Sequence, residues 1–394
     1  MQNIIRPDLE KSINNWFEAK FNGLTLPFYS SIDLRNSSYK IAPVDANLFP
    51  AGFNNLSETS RAIAAKLIKS YFETKQYKKT LIIPENYTRN KMYIENVFVI
   101  EKVLQLAGFE TRIGLFHNET YNLIEQYETV VKENSLLKTT SGFVPDVIIL
   151  NRDMTSHIPD TLENVKQEIV PSPLYGWHSR QKFQYFEIYQ KLVSEFCGEF
   201  KMDPWLISVL TESCNGVDFN DDSSLGAVAT KVDQILSLVQ KKYEEYEIKT
   251  QPYVFIKASN GTYGMGIITA TSGKEILNLN KKKRHKMKKI KEGIAINSVI
   301  IQEGVPTIDI FKSSSAEPLI YYIGDTPTCY LYRCNSRKDV YSSLNSTDCE
   351  FYDISQENKT LPLWNIVSKL AVLALAVEIK VSVQRCGKDK KQLT

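Results

Sequence analysis

Histidine, paired cysteine and net charge are all scarce in this chain, and each scarcity argues against a class of function. Only four histidines occur in 394 residues, and none stands at ligand spacing to a cysteine pair, which argues against zinc. The six cysteines (Cys197, Cys214, Cys329, Cys334, Cys349, Cys386) contain no CxxC pair and no regular framework. They read as reduced thiols of a cytoplasmic protein, and nothing in the sequence supports a cysteine nucleophile. A net charge of +3 is too small to imply a polyanionic partner. Long apolar runs are missing as well. The most apolar segment, residues 370–377, is far too short to span a bilayer, is bounded by Lys369 and Glu378, and reads as a buried helix. The opening MQNIIRPDLEKS has no uninterrupted apolar stretch, so no secretory signal is expected.

What is present is an ordinary globular composition, 43% hydrophobic and 24% charged. The length exceeds what one core usually supports. The pattern divides into an α/β region over residues 1–160, a mainly helical region over 161–250 and a third region over 251–394. The first region alternates helix and strand: a helix through Ile63, Ala64, Leu67, Ile68, Tyr71 and Phe72, a strand over 81–84, and a helix over 91–107 stopped by Gly108. A strand over 111–116, a helix over 122–133 and a strand over 146–150 complete it. The fold class is α/β, α+β overall, with a mainly parallel sheet in the first region.

Three loops of this region are crowded with polar groups. Asp33 and Arg35 precede APVDANLFPAGFNN, which carries Asp45, Asn47, Asn54 and Asn55; PENYTRN holds Glu85 and Arg89; LNRD holds Asn151, Arg152 and Asp153. Polar side chains beyond the carboxyl ends of parallel strands bind small polar ligands. The same residue types also serve turns and helix caps. In the middle region, GWHSRQKF gathers Trp177, His178, Arg180 and Lys182.

The segment YVFIKASNGTYGMGIIT (residues 253–269) carries the most chemistry. Two β-branched or aromatic runs flank a loop with glycines at 261, 264 and 266, which describes a β-hairpin. Its backbone amides can form a concave anion site, with Lys257 adding a point charge. The glycine order is GxxGxG and a strand follows, so neither the Walker loop nor the dinucleotide fingerprint applies. A flap over nucleotide phosphates and an ordinary hairpin both fit. Further on, KKKRHKMKKIK (residues 281–291) is a basic run without aromatic interleaving, read as a solvated helix face rather than a nucleic-acid site. SVIIQEGVPT (residues 298–307) reads as a buried strand ending in Gln302, Glu303, Gly304 and Val305.

Taken in order, flap, hinge strand and distal Arg/Asn segment resemble the ATP-grasp fold, here behind a Rossmann-like α/β domain. DLRNSSYKIAPVDANLFPAGFNN, PENYTRNKMYIENV, GWHSRQKF, IKASNGTYGMGI, NKKKRHKM, VIIQEGVPT, AEPLIYYI and LYRCN are similar to the bacterial glutamate–cysteine ligases of the ATP-grasp type. The resemblance implies ATP-dependent joining of L-glutamate to L-cysteine through an acyl phosphate, the first step of glutathione biosynthesis, with ATP and Mg2+ as cofactors. It assigns Lys257, Gly261, Thr262, Tyr263, Gly264, Met265 and Gly266 to the phosphate flap, and Gln302, Glu303, Gly304 and Val305 to the adenine and ribose hinge. Lys257 and Arg333 become catalytic, and Glu317 and Asn345 magnesium or ribose contacts. Arg35, Asp45, Asn47, Asn55, Arg89 and Asn151 become substrate contacts. It implies no nucleic-acid or membrane partner and is compatible with a homo-oligomer. Two departures stand out. Ser259 and Asn260 occupy the places of Asp and Ala in the family's loop, and Ser342 and Ser343 those of acidic and amide residues before its final Leu-Asn. Another ATP-grasp carboxylate–amine ligase and a catalytically weakened homologue remain open as alternatives.

Overall fold

The computed structural model describes residues 7–85, 90–117, 119, 127–260, 266–288, 295–346, 348–356 and 362–392. Helix α1 (Pro7–Phe21) leads into the antiparallel strands β1 (Tyr29–Asn36) and β2 (Ile41–Asn47). Helix α2 (Glu58–Tyr71) is capped by Ser57, whose hydroxyl accepts the Ser60 amide, and buries Ala64 and Ile68. Strand β3 (Lys79–Pro84) is followed by α3 (Lys91–Leu106), which ends where Gly108 takes φ +98°, a conformation that favours glycine. Then come β4 (Glu110–Phe116), β5 (Glu128–Glu133), β6 (Leu136–Thr139), β7 (Val147–Asn151) and β8 (Glu168–Val170). These six strands form one sheet in the order β6-β5-β4-β3-β7-β8, parallel except for the β5–β6 hairpin.

Two of the expected helical stretches are altered. Residues 128–133 form a strand, because Thr129, Val130 and Val131 are β-branched and Val130 packs on the sheet's own core; residues 120–126 lie outside the described residues. The region after α4 (Lys182–Phe200) is interrupted by β9 (Thr211–Asn215) before α5 (Asp222–Glu245). TESCN shows no apolar alternation, since β9 is an edge strand held by its backbone to one neighbour.

The remainder builds two antiparallel sheets. Strands β10 (Val254–Ala258) and β11 (Ile267–Ala270) form the expected hairpin, followed by the short helices α6 (Gly273–Leu277) and α7 (Lys281–Lys286). With β12 (Ser298–Glu303) they make a four-stranded sheet, β11-β10-β12-β9, whose one face packs on α5 through Val254, Ile256, Val299 and Ile301. Strands β13 (Ile310–Phe311), β14 (Ser314–Ile323), β15 (Thr326–Asn335) and β16 (Glu350–Asp353) join β1 and β2 in a six-stranded sheet, β16-β15-β14-β1-β2, with β13 on β14. Helix α8 (Pro362–Gln392) runs beneath this large sheet, and residues 370–376 are fully buried on every side, as an all-round apolar helix requires. Sheet membership therefore does not follow single cuts at 160 and 250: residues 29–47 share a sheet with residues 314–353, and β9 belongs to the sheet of β10.

Candidate active site

Strand alternation divides the large sheet into faces. On one, Ile32, Leu34, Ile320, Tyr322 and Tyr330 pack on α4 and α8. The other face is apolar at one end, where Tyr29, Leu319, Tyr321 and Leu331 meet α2 and α3. At its other end it carries Asp33, Arg35, Glu317 and Arg333, all buried. Glu317 lies directly opposite Arg333. The Arg333 Nη1 donates to Glu317 Oε1 and to Asp33 Oδ2, each at 2.7 Å, and Arg35 Nε donates to Glu317 Oε2 at 2.7 Å. A continuous acid–base chain thus crosses three strands. Burial opposes the charge of Arg333, and Asp33 and Glu317 more than restore it. Asp33 and Asp45 are direct cross-strand partners, an arrangement of like charges that needs cations nearby. Burial raises the Asp33 pKa, and Asp45 and Glu317 add to that against the pull of Arg333. Burial also works against the charge of Asp45, but Lys182 and Lys257 outweigh it and hold the carboxyl below its usual range.

The cleft face of the small sheet carries Phe255 and Lys257 on β10 and Gln302 on β12, with Tyr253 immediately before β10. Lys257 Nζ donates to the Val44 carbonyl at 3.0 Å and to Gln302 Oε1 at 2.7 Å, so the small sheet's lysine reaches the edge strand of the large one. Burial lowers its pKa to about 8, partly offset by Asp45. Lys182, at the first position of α4, closes the cluster. Its Nζ meets Asp45 Oδ1 at 2.5 Å, its ammonium lies 4.6 Å from the Trp177 ring centre, and its amide donates to the Ser259 carbonyl at 2.8 Å. Arg180 fixes the same segment, gripping Glu378 of α8 through Nε at 3.0 Å and the Ala46 carbonyl at 2.8 Å. His178 is half-buried, its pKa lowered by burial, with Nδ1 3.3 Å from the Met154 carbonyl.

Several of the polar residues expected at the substrate make contacts within the protein. Asn151 donates to the Tyr29 hydroxyl and the Pro50 carbonyl and accepts from Asn96, riveting β7 to the chain after β2. Asn55 donates to the Gly52 carbonyl within its own turn. Asn47 lies at the end of β2 opposite Ser31. Arg35, expected to grip a substrate carboxylate, holds Glu317 and donates to the carbonyls of Val340 (3.2 Å) and Ser342 (2.6 Å); it ties down the loop that leads to Asn345. Glu303 points away from the cleft into a buried pocket, where it accepts from Lys40, Trp205 and the Leu210 amide. Gly304 donates its amide to the Tyr253 carbonyl, and a Cβ there would lie 2.4 Å from the Tyr253 ring. Val305 is buried in the core under the large sheet. Arg89 and residues 261–265 lie outside the described residues; Gly266, at φ +62°, closes the hairpin with its carbonyl accepting the Ala258 amide.

The sequence profile described as GshA, glutamate-cysteine ligase, matches residues 5–379. A solved structure from Methylobacillus flagellatus, provisionally named gamma-glutamylcysteine synthetase, is 33% identical, covers 95% of this chain and 94% of its own, and superposes with a TM-score of 0.85. The chain belongs to the glutamate–cysteine ligase family. A D-alanyl-alanine synthetase A from Vibrio cholerae, at 10% identity, 77% of this chain, 81% of its own and a TM-score of 0.36, is too distant to carry an argument. No curated protein matches the sequence. The fold is the ATP-grasp arrangement with a Rossmann-like domain, and the chain is an ATP-dependent ligase of small molecules. No helix among the described residues is long and apolar enough to cross a membrane.

In this ligase the clustered groups suit a nucleotide and a hard cation. Among the described residues no three His, Cys, Asp or Glu side chains could hold an ion by themselves. A magnesium ion travelling with a nucleotide needs only one or two carboxylates, with phosphate oxygens and water completing its shell. Asp33 Oδ1 is buried without a partner, which fits that demand; both oxygens of the neighbouring Glu317 already accept from Arg333 and Arg35. Asn345 is half-buried in the loop held by Arg35. Gln302 Nε2, Ser259 Oγ and Arg333 Nε are likewise buried and unpartnered. A cavity of about 370 Å3 lies beside Tyr253, Thr269, Asp339, Tyr341 and Ser342, next to the start of the strand that carries Lys257. A larger groove of about 600 Å3, between α4 and β9, is lined by none of these charges. Lys182 and Asp33 were within sight in the sequence, in GWHSRQK and DLR, but only the strand register brings them to Lys257 and Arg333.

Proposed function

We propose that this enzyme joins the γ-carboxylate of L-glutamate to the amine of L-cysteine, consuming ATP, with Mg2+ as its metal and the cytoplasm as its place of work. The observation that carries the reading is Lys257: a lysine of lowered pKa on the cleft face of the small sheet, clustered with Asp45, Lys182 and Gln302 beside the acid–base chain of the large one. The base sits in the cavity at Tyr253 and Tyr341, where the Tyr253 ring packs on Gly304 of the hinge, and the phosphates lie at Lys257. Tyr253 and Lys257 are four positions apart, about 13 Å at ~3.3 Å per extended residue, a span suited to an extended nucleoside triphosphate.

A carboxylate resists attack by an amine until an oxygen is made a leaving group. The glutamate γ-carboxylate oxygen attacks the terminal phosphorus, the bond to the bridging oxygen breaks, and ADP leaves. The cysteine amine then attacks the acyl carbon, phosphate departs with the electron pair, and the nitrogen loses a proton. Such chemistry rests on positioning and charge neutralisation. Lys257 and Lys182 supply positive charge to the transferring phosphoryl group, and Arg333 to the oxygens of the acyl phosphate. By the family resemblance, residues 261–266 are assigned the role of donating backbone amides to the phosphates. Asp33, Glu317 and Asn345 are the residues that would hold magnesium, which would supply further neutralisation of charge. Asp45 receives a substrate ammonium when Lys182 turns to phosphate, and the resemblance assigns Asn47, Asn55 and Arg89 to the amino-acid substrates. Measuring ADP release with each amino acid alone and with both tests the reading. Release that requires glutamate and cysteine together supports it; release with another acid–amine pair assigns a different ligase.

A further inference from the structure

The turn between β1 and β2 reaches out of the large sheet into the small subdomain. Ser37 shapes it, donating its amide to the Lys40 carbonyl at 2.9 Å while its hydroxyl accepts the Lys40 amide at 3.0 Å. The turn projects two side chains. Tyr39 stacks on Trp205 at 5.7 Å with the ring planes nearly parallel, and its hydroxyl meets that of Tyr243 on α5 at 2.7 Å. Lys40 is fully buried; its Nζ donates to Glu303 Oε1 at 2.9 Å and lies 4.1 Å from the Trp205 ring centre. Trp205 Nε1 donates to the same carboxylate oxygen at 3.0 Å, and the Leu210 amide to the other at 3.0 Å.

Both members of the Lys40–Glu303 pair have 0% side-chain exposure. Removing two charges this completely from water is costly, and apolar residues of similar size often stabilise a fold as well or better. The pair's distinguishing property is direction: an ion pair with two further donors to its carboxylate admits one geometry, where packed methyl groups admit several. Its location gives that geometry a consequence. Glu303 is the last residue of β12, the strand that leaves the small sheet for the large one. The next amide, Gly304, bonds the Tyr253 carbonyl, and Tyr253 is a wall of the cavity assigned to the base.

We propose that Lys40 is a positioning residue for the nucleotide. Through Glu303 it fixes the height and angle at which the small sheet meets the large one, and so sets the distance between Tyr253 and the 339–342 wall. This rests on the nucleotide occupying the cleft. Lys40 touches neither nucleotide nor amino acid, so its loss weakens nucleotide binding and leaves amino-acid binding alone.

Calorimetric titration with a non-hydrolysable ATP analogue and magnesium tests this on the full chain, for wild type, Lys40→Met and Lys40→Met/Glu303→Gln. The single variant strands a buried carboxylate and is expected to unfold at lower temperature. The double variant removes both charges while keeping an acceptor oxygen for Trp205, and its unfolding midpoint recovers toward wild type. Its Kd for the analogue is expected to rise at least tenfold, with KM for glutamate and cysteine within twofold of wild type. A folded double variant with wild-type Kd overturns the proposal, as does an equal rise in all three constants. A wild type that binds the analogue yet forms no γ-glutamylcysteine defeats the proposed reaction while the Kd comparison still decides the role of Lys40. A wild type that binds no analogue overturns both.

Discussion

Lys257 sits where burial works against its charge, at the point we assign to the phosphates. Its pKa of about 8 makes it cationic below that pH and neutral above. The expected result is that kcat/KM for ATP falls as pH rises through about 8, and that Lys257→Arg, whose guanidinium stays charged, removes this limb of the profile. Lys257→Ala is expected to lower kcat by about 10²–10³-fold, the usual loss when one charge-stabilising donor goes, with circular dichroism unchanged. Arg35 separates two accounts more sharply. Lysine in its place cannot hold Glu317 and two carbonyls at once. If Arg35 props up the 340–345 loop, Arg35→Lys raises KM for ATP and spares that for glutamate; the reverse result would make it a substrate fork. Lys257 was legible in the sequence because its strand, its glycines and its charge are local. The engagement of Arg35 and Arg333 was not: Arg333 meets Asp33 across 300 positions, a distance no periodicity encodes.

At the scale of elements, β10 and β12 do most of the positioning. Each turns one row of side chains to α5 and the other to the cleft, which places Gln302 beside Lys257 and Glu303 beneath the sheet. A strand assigned from β-branched runs gives this alternation at once, and both strands were legible for that reason. Strands β5 and β9 were not, since β5 follows residues with helical spacing and β9 carries no apolar pattern of its own. The hinge after β12 depends on a single missing side chain. A methyl group on residue 304 would press on three atoms of the Tyr253 ring, all within 2.6 Å. Gly304→Ala is therefore expected to destabilise the fold by about 1–3 kcal/mol through overpacking and to raise KM for ATP as Tyr253 is displaced. Urea unfolding, read as a shift in midpoint at constant slope, measures the first effect; an unshifted midpoint would show that the ring has room to move.

At the scale of the molecule, the chain interleaves its sheets. The first two strands complete a sheet made mainly by residues 314–353, and the parallel domain is inserted between these pieces. Composition and alternation reveal the parallel domain, because its strands and helices are neighbours in sequence. They do not reveal that β1 and β2 belong elsewhere, because antiparallel partners can come from any distance. The consequence is functional: Asp33, Asp45, Lys257 and Arg333 come from opposite ends of the chain to one cleft, where cationic and anionic groups stand ready for a nucleotide and an amino acid. The most direct measurement is ADP release by the full chain with ATP and magnesium, given glutamate, cysteine, both or neither, alongside mass-spectrometric detection of the dipeptide. The account predicts release only with both amino acids, equimolar γ-glutamylcysteine, and loss of both signals in Lys257→Ala. Release independent of either amino acid, or undiminished in Lys257→Ala, would contradict it.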